Sequence, residues 1–131
     1  FVDPVGLSSD NMASPEDLVK LVSAASHDPA IREFSTDPGY SVVIGRRRIE
    51  FRNTNSLVRN SQWDIVVQKT GYISEAGKCL VMQAVIDDRT VVMVLLNSYG
   101  RYTRVADARR IRKWMEAKVS ERTAHTVASK V

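Results

Sequence analysis

Hydrophobic residues recur along the chain with two different periods, which separate helix-forming from strand-forming segments. Apolar positions three or four residues apart predict a helix from residue 15 to about residue 27, and an amphipathic helix from residue 102 to about residue 118. Ser14 can cap the first helix, and Glu16 and Asp17 suit the positive end of its dipole. A short second helix is predicted at residues 29–34, after a loop at residues 1–13.

Runs rich in β-branched and aromatic residues predict five strands, at residues 40–44, 48–52, 63–69, 79–86 and 90–97. The first two are joined through Gly45, and the last three are joined by the short segments 75–78 and 87–89. Connections this short require antiparallel neighbours, because a parallel pair needs a crossover of a dozen or more residues. The pattern therefore predicts an α+β fold in which helices flank an antiparallel sheet.

The last predicted strand contains the longest apolar run of the chain, residues 91–96, which is too short to span a membrane. A strand that is apolar on both faces is typical of the centre of a sheet, but the order of the predicted strands leaves this one at an edge. Folded proteins avoid long apolar edges because such edges promote aggregation. We therefore expect this strand to pair with a segment outside the chain, which would make the chain part of a domain.

Composition is that of a globular protein, with 44% hydrophobic residues and a net charge of +4 over 131 residues. The positive charge is concentrated in residues 101–131, which hold nine basic and three acidic side chains. Residues 46–48, all arginine, are interpreted as a solvated hairpin turn, the alternative being a docking patch for an anionic surface. The single cysteine, Cys79, excludes an internal disulfide; we expect it to be buried, and we expect no metal and no cofactor.

The tripeptide Lys69-Thr70-Gly71 is the most informative motif for function, because the strand pattern places it at the end of a strand. A lysine and a hydroxyl beside a glycine that lets a substrate backbone approach would form a binding edge for a carboxylate. Taken alone, the tripeptide also fits a strand-ending turn with a surface lysine. Asn53 and Asn55 lie in a polar loop, where they either fasten the loop to the backbone or contact a substrate in a cleft.

Four features share the order and spacing of one family: Phe1-x-x-Pro4-x-Gly6-Leu7, the Asn-Thr-Asn-x-Leu loop within residues 51–57, Lys69-Thr70-Gly71-Tyr72-Ile73, and the apolar hairpin with the closing helix. With them, the chain resembles the C-terminal half of the low-molecular-mass penicillin-binding proteins, which are serine D-alanyl-D-alanine peptidases, and especially their type-7 endopeptidase branch. The resemblance covers roughly residues 1–118. It implies a transpeptidase and β-lactamase-like fold that is incomplete without its N-terminal half.

The resemblance implies a periplasmic endopeptidase or carboxypeptidase that acts on peptidoglycan peptides through an acyl-enzyme and binds β-lactam antibiotics. Lys69 would provide positive charge for the substrate carboxylate, and Thr70 would donate a hydrogen bond to it. Gly71 would leave room for the substrate, and the backbone N–H of Tyr72 would be one of two oxyanion donors. Residues 1–119 would form the C-terminal portion of one catalytic domain, followed by a flexible tail at residues 120–131.

The chain departs from the family in one major respect, because none of its serines is followed three positions later by lysine. The nucleophile is therefore absent from these residues, and we expect the chain alone to be inactive without the N-terminal portion of the same domain. Ser9-Asp10-Asn11 spells a family motif in the wrong order relative to residues 1–7, so we interpret it as a coincidence. The alternatives are a basic module that binds an anionic polymer, or a serine β-lactamase; nucleic acid and a transmembrane segment are not expected.

Overall fold

The computed structural model describes residues 1–128, and the side chains of residues 1–121. In chain order its elements are α1 (Pro15–Ala25), α2 (Pro29–Thr36), β1 (Gly39–Ile44), β2 (Arg47–Arg52), a 3₁₀ turn (Ser56–Arg59), β3 (Asp64–Ile73), β4 (Gly77–Ile86), β5 (Arg89–Ser98) and α3 (Thr103–Ala128). The predicted α+β class with antiparallel strands is confirmed.

Local sequence explains where the first helices and the hairpin begin and end. The Ser14 hydroxyl accepts a hydrogen bond from the backbone N–H of Asp17, whose carboxylate in turn accepts from the N–H of Ser14. The Ser14 hydroxyl also donates to the Asp17 carboxylate at 2.8 Å, and this hydrogen bond, followed by the one from the Ser14 N–H, lowers the pKa of Asp17. Asp28 caps α2. Gly45 turns the β1–β2 hairpin with a φ of 62°, a left-handed conformation that suits glycine.

The strands form two separate antiparallel sheets: the hairpin β1–β2, and a three-stranded meander in the order β3–β4–β5. One face of β4 carries alternate buried residues, and α3 covers that face with Val105 and Ala108. The buried side chains between β4 and α3 form the main core, and its fully buried members include Leu57, Leu80 and Met82. Helices α1 and α2 also contact the meander, and Val22 of α1 is buried outside that core.

Two features differ from the expectations. Lys69, Thr70 and Gly71 lie inside β3 rather than at its end, because the strand keeps pairing with β4 as far as Ile73. Helix α3 continues to Ala128, past the predicted end near residue 118 and through most of the expected tail at residues 120–131. Residues 129–131 of that tail lie outside the described residues, and its flexibility stays a prediction. Within residues 1–128, no helix combines the length and the apolar character needed to cross a bilayer.

Candidate active site

The outer edge of β3, which faces away from β4, is partly covered by α2 and open beyond it. The backbone N–H of Gln68 donates to the Ser35 hydroxyl of α2 at 3.3 Å, so this N–H points away from β4. Alternate residues of a strand direct their N–H and C=O groups to the same side. The pairing of β3 with β4 is regular from Val67 to Ile73, so Thr70 and Tyr72 also present their N–H and C=O groups outward.

This open edge borders a cavity of about 620 Å³. The K-T-G motif and Tyr72 form one wall, and the loop at residues 1–11 contributes to another. Arg104, in the first turn of α3, adds a second positive charge to the lining of the same cavity. The structure thus brings together four residues that sequence reasoning selected, in a concave and positively charged setting: Lys69, Thr70, Gly71 and Tyr72.

Lys69 is exposed and forms no ion pair with any acidic side chain among the described residues. Its Nζ donates to the backbone oxygen of Thr70, which is one of the outward-facing carbonyls of β3. Gly71 has open space where a Cβ would lie, so nothing within the described part of the chain requires a glycine there. The space is available to a ligand lying along the edge, and an unpaired ammonium at the cavity wall can attract a carboxylate.

Asn53 and Asn55 fasten their loop rather than face the cavity. The Asn53 amide donates to the backbone oxygens of Ser35 and Asp37 at 3.0 and 2.9 Å. Asn55 is fully buried, and its side-chain oxygen accepts from the N–H of Leu57 at 3.1 Å. The sequence left two roles open for these asparagines, fastening the loop or contacting a substrate. The contacts described here support the fastening role.

Thr54, between these two asparagines, does reach the cavity, and its hydroxyl lies 2.6 Å from the hydroxyl of Thr70. Sequence reasoning did not single out Thr54 or Arg104. The only available signal for Thr54 was its position between two loop-fastening asparagines. Cys79, expected to be buried, is only partly buried and also lines the cavity, because it pairs across the strands with Gly71.

The loop at residues 1–11 is held by a network centred on Asp3. One carboxylate oxygen accepts from the N–H groups of Val5 and Gly6 at 2.8 and 2.7 Å, and the other accepts from the Asn11 amide at 2.7 Å. These contacts, led by the N–H of Gly6, lower the pKa of Asp3 below its ordinary value. Asn11 of the Ser9-Asp10-Asn11 sequence therefore stabilises the loop at residues 1–11.

Asp3→Asn should loosen this loop, because an amide is a weaker acceptor than a carboxylate and cannot hold all three donors. We expect faster hydrogen exchange of the Val5 and Gly6 amides. In the unsubstituted protein the pKa of Asp3 is lowered. Its contribution to the stability of the folded loop is therefore fully present at a pH above the ordinary pKa, and it is lost as the pH falls through the pKa of the folded protein. Exchange rates that are the same in both proteins would contradict this role; Asp10→Asn, which leaves the network intact, is the control.

The other two candidate binding surfaces, the arginine run and the basic residues of α3, do not combine binding groups in the way that the open edge of β3 does. Residues 46–48 lie exposed at the turn and the start of β2. On α3, three of the basic residues are paired within the helix, in the ion pairs Arg110–Asp107, Arg112–Glu116 and Lys118–Glu121. Among the described residues, no group of three or more histidine, cysteine, aspartate or glutamate side chains is placed to hold a metal ion.

Comparison with known proteins places the chain among D-alanyl-D-alanine peptidases. The sequence model of the D-alanyl-D-alanine carboxypeptidase family matches residues 1–100. D-alanyl-D-alanine endopeptidases of Pseudomonas aeruginosa and Escherichia coli are each 41% identical to the chain over 118 residues, which is 88% of this chain. The chain spans 38% of the length of these two curated relatives.

Solved structures of similar fold include the Streptomyces K15 DD-transpeptidase, seen in a variant form. Its TM-score is 0.71 at 28% identity, over 84% of this chain and 44% of that one. Penicillin-binding protein D2 of Listeria monocytogenes, in a cefotaxime-bound form, is similar with a TM-score of 0.68 at 26% identity, over 86% of this chain and 46% of that one. The expected resemblance, in family and in fold, is confirmed.

Proposed function

The chain belongs to the D-alanyl-D-alanine carboxypeptidase family, and we propose that it supplies one wall of the active site of a serine DD-peptidase. The reaction would cleave D-alanyl peptide bonds of peptidoglycan through an acyl-enzyme. The observation that carries the proposal is the open edge of β3, where Lys69, Thr70 and the outward N–H of Tyr72 border one cavity. The 41% identity to two endopeptidases supports endopeptidase action.

In this proposal the substrate strand lies along the outer edge of β3. The Thr70 hydroxyl and the Lys69 ammonium bind its terminal carboxylate, and the positive charge of Arg104 adds to the attraction. The N–H of Tyr72 then stabilises the negative charge that develops on the attacked carbonyl oxygen. A β-lactam antibiotic, which has both a carboxylate and a reactive amide, would occupy the same place.

We also propose that the nucleophilic serine and its lysine lie outside residues 1–131. The part of the protein that carries them would also pair with the outer edge of β5. Within the described residues β5 pairs with β4 alone, Val92 and Val94 are only partly covered, and Leu96 is exposed. The sequence contains no serine with a lysine three positions later. The place of action would be the periplasm, because peptidoglycan lies outside the cytoplasmic membrane.

Lys69→Ala tests the proposal in the full-length product of the gene that encodes this chain. Fluorescent penicillin should label the unsubstituted protein covalently, and the variant should be acylated about tenfold to a hundredfold more slowly. This range corresponds to the loss of one hydrogen bond to a charged group, about 1.5–3 kcal/mol. The measurement is the second-order rate constant of labelling, with Lys113→Ala, an exposed position on α3, as the control.

Two outcomes would contradict the proposal in different ways. A full-length protein that penicillin does not label would exclude the DD-peptidase reaction. Labelling at the same rate in Lys69→Ala and Lys113→Ala would leave the reaction in place and remove Lys69 from its mechanism.

A further inference from the structure

We propose that Thr54 is a positioning residue that sets the direction in which the Thr70 hydroxyl donates its proton to the substrate carboxylate. The inference rests on the proposed function and adds a residue to it. The two hydroxyl oxygens are 2.6 Å apart although the residues are 16 positions apart in the sequence, and both line the cavity. The contact joins the loop that follows β2 directly to the K-T-G wall.

The direction of this hydrogen bond follows from counting protons. Each threonine hydroxyl has one proton to donate, whereas an ionised carboxylate can only accept. When Thr70 donates to a bound carboxylate, its contact with Thr54 persists only if Thr54 is the donor. The resulting chain runs from the Thr54 hydroxyl to the Thr70 hydroxyl and on to the carboxylate, and each link strengthens the next by polarisation.

The loop is built to hold Thr54 at this position. Asn53, on one side, is bound through its amide nitrogen to α2, and its side-chain oxygen accepts from Gln68 at 3.1 Å and from the N–H of Asn55 at 3.0 Å. Asn55, on the other side, is fully buried. Since both neighbours are fixed, little conformational freedom of Thr54 remains to be lost when a ligand binds, and the Thr70 hydroxyl is oriented in advance.

Thr54→Val in the full-length protein removes the donor and keeps the shape of the side chain. We expect acylation by a penicillin with a free carboxylate to slow about threefold to tenfold, in line with the loss of one hydrogen bond. The methyl ester of the same penicillin carries no charge in place of the carboxylate. Its acylation reaction should be slowed much less by Thr54→Val. Thr54→Ser, which retains the hydroxyl, should acylate at nearly the unsubstituted rate.

The comparison of the two ligands separates positioning from general loosening of the loop. Equal slowing with the acid and the ester, or no slowing with either, would overturn the role of Thr54 while leaving the proposed function intact. The same conclusion would follow if Thr54→Ser were as slow as Thr54→Val. An unsubstituted protein that neither ligand labels would overturn the proposed function, and the role of Thr54 with it.

Discussion

Tyr72→Pro is expected to slow acylation of the full-length protein by penicillin about 10²–10³-fold, the usual cost of removing one oxyanion donor. The donor in question is a backbone N–H, so only proline, which has none, can remove it by substitution. The Tyr72 N–H points outward from β3, to the same side as the Gln68 N–H that donates to the Ser35 hydroxyl. Its loss therefore leaves the hydrogen bonds between β3 and β4 in place.

The substitution is structurally reasonable at this position. Proline is tolerated in edge strands when its nitrogen faces outward, and it favours an extended residue before it, as Gly71 is within β3. Tyr72→Ala is the matched control, because it removes the side chain, which is 63% exposed, and keeps the backbone N–H. Thermal unfolding of both variants would establish that the sheet is intact.

Equal acylation rates in Tyr72→Pro and Tyr72→Ala, with both variants folded, would show that this N–H does not stabilise the developing charge. The oxyanion donors would then have to lie elsewhere. A slow Tyr72→Ala variant would instead assign the effect to the side chain, which contacts Lys78 at 4.7 Å from the ring centre.

Leu80→Ala is expected to lower the free energy of unfolding of the full-length protein by about 2–5 kcal/mol, the usual range for emptying a core leucine position. Leu80 is fully buried, and it pairs with Thr70 on β3 and with Leu95 on β5. It therefore belongs to the core and also supports the strand that carries the candidate site. Chemical denaturation gives the difference in stability.

Leu21→Ala makes the same change at a side chain that is 52% exposed and should cost far less. If both variants lost the same stability, the cluster between the meander and α3 would not be the main core. Since Leu80 lies opposite Thr70, the folded fraction of Leu80→Ala should also bind the carboxylate less well.

Sequence reasoning succeeded where the structure is determined by neighbours along the chain. The helix start at Ser14, the hairpin at Gly45 and the antiparallel order of β3, β4 and β5 all follow from local preferences and short connections. It was less accurate at the ends of elements. β3 continues through Gly71, a residue with low strand preference, because pairing with β4 stabilises it there.

The candidate site shows the same difference between what neighbouring residues determine and what contacts between distant segments determine. The K-T-G motif was evident in the sequence because its residues are contiguous and of distinctive chemistry. Thr54 and Arg104 were not, since each approaches the motif only after the chain has folded back. Cys79 was expected inside the protein, but its place opposite Gly71 leaves it beside the cavity instead.

By itself, the sequence determined which segments form α-helices and strands, the antiparallel order of the strands and the chemical groups available for binding a carboxylate. Only the tertiary structure decided which way those groups face. A shift in pairing between Ile65 and Val67 separates the start of β3 from its regular part, and α2 covers the strand edge at Gln68. Because each residue added to or removed from a strand reverses the side to which later N–H groups point, the outward direction at Tyr72 depends on pairing between segments distant in sequence.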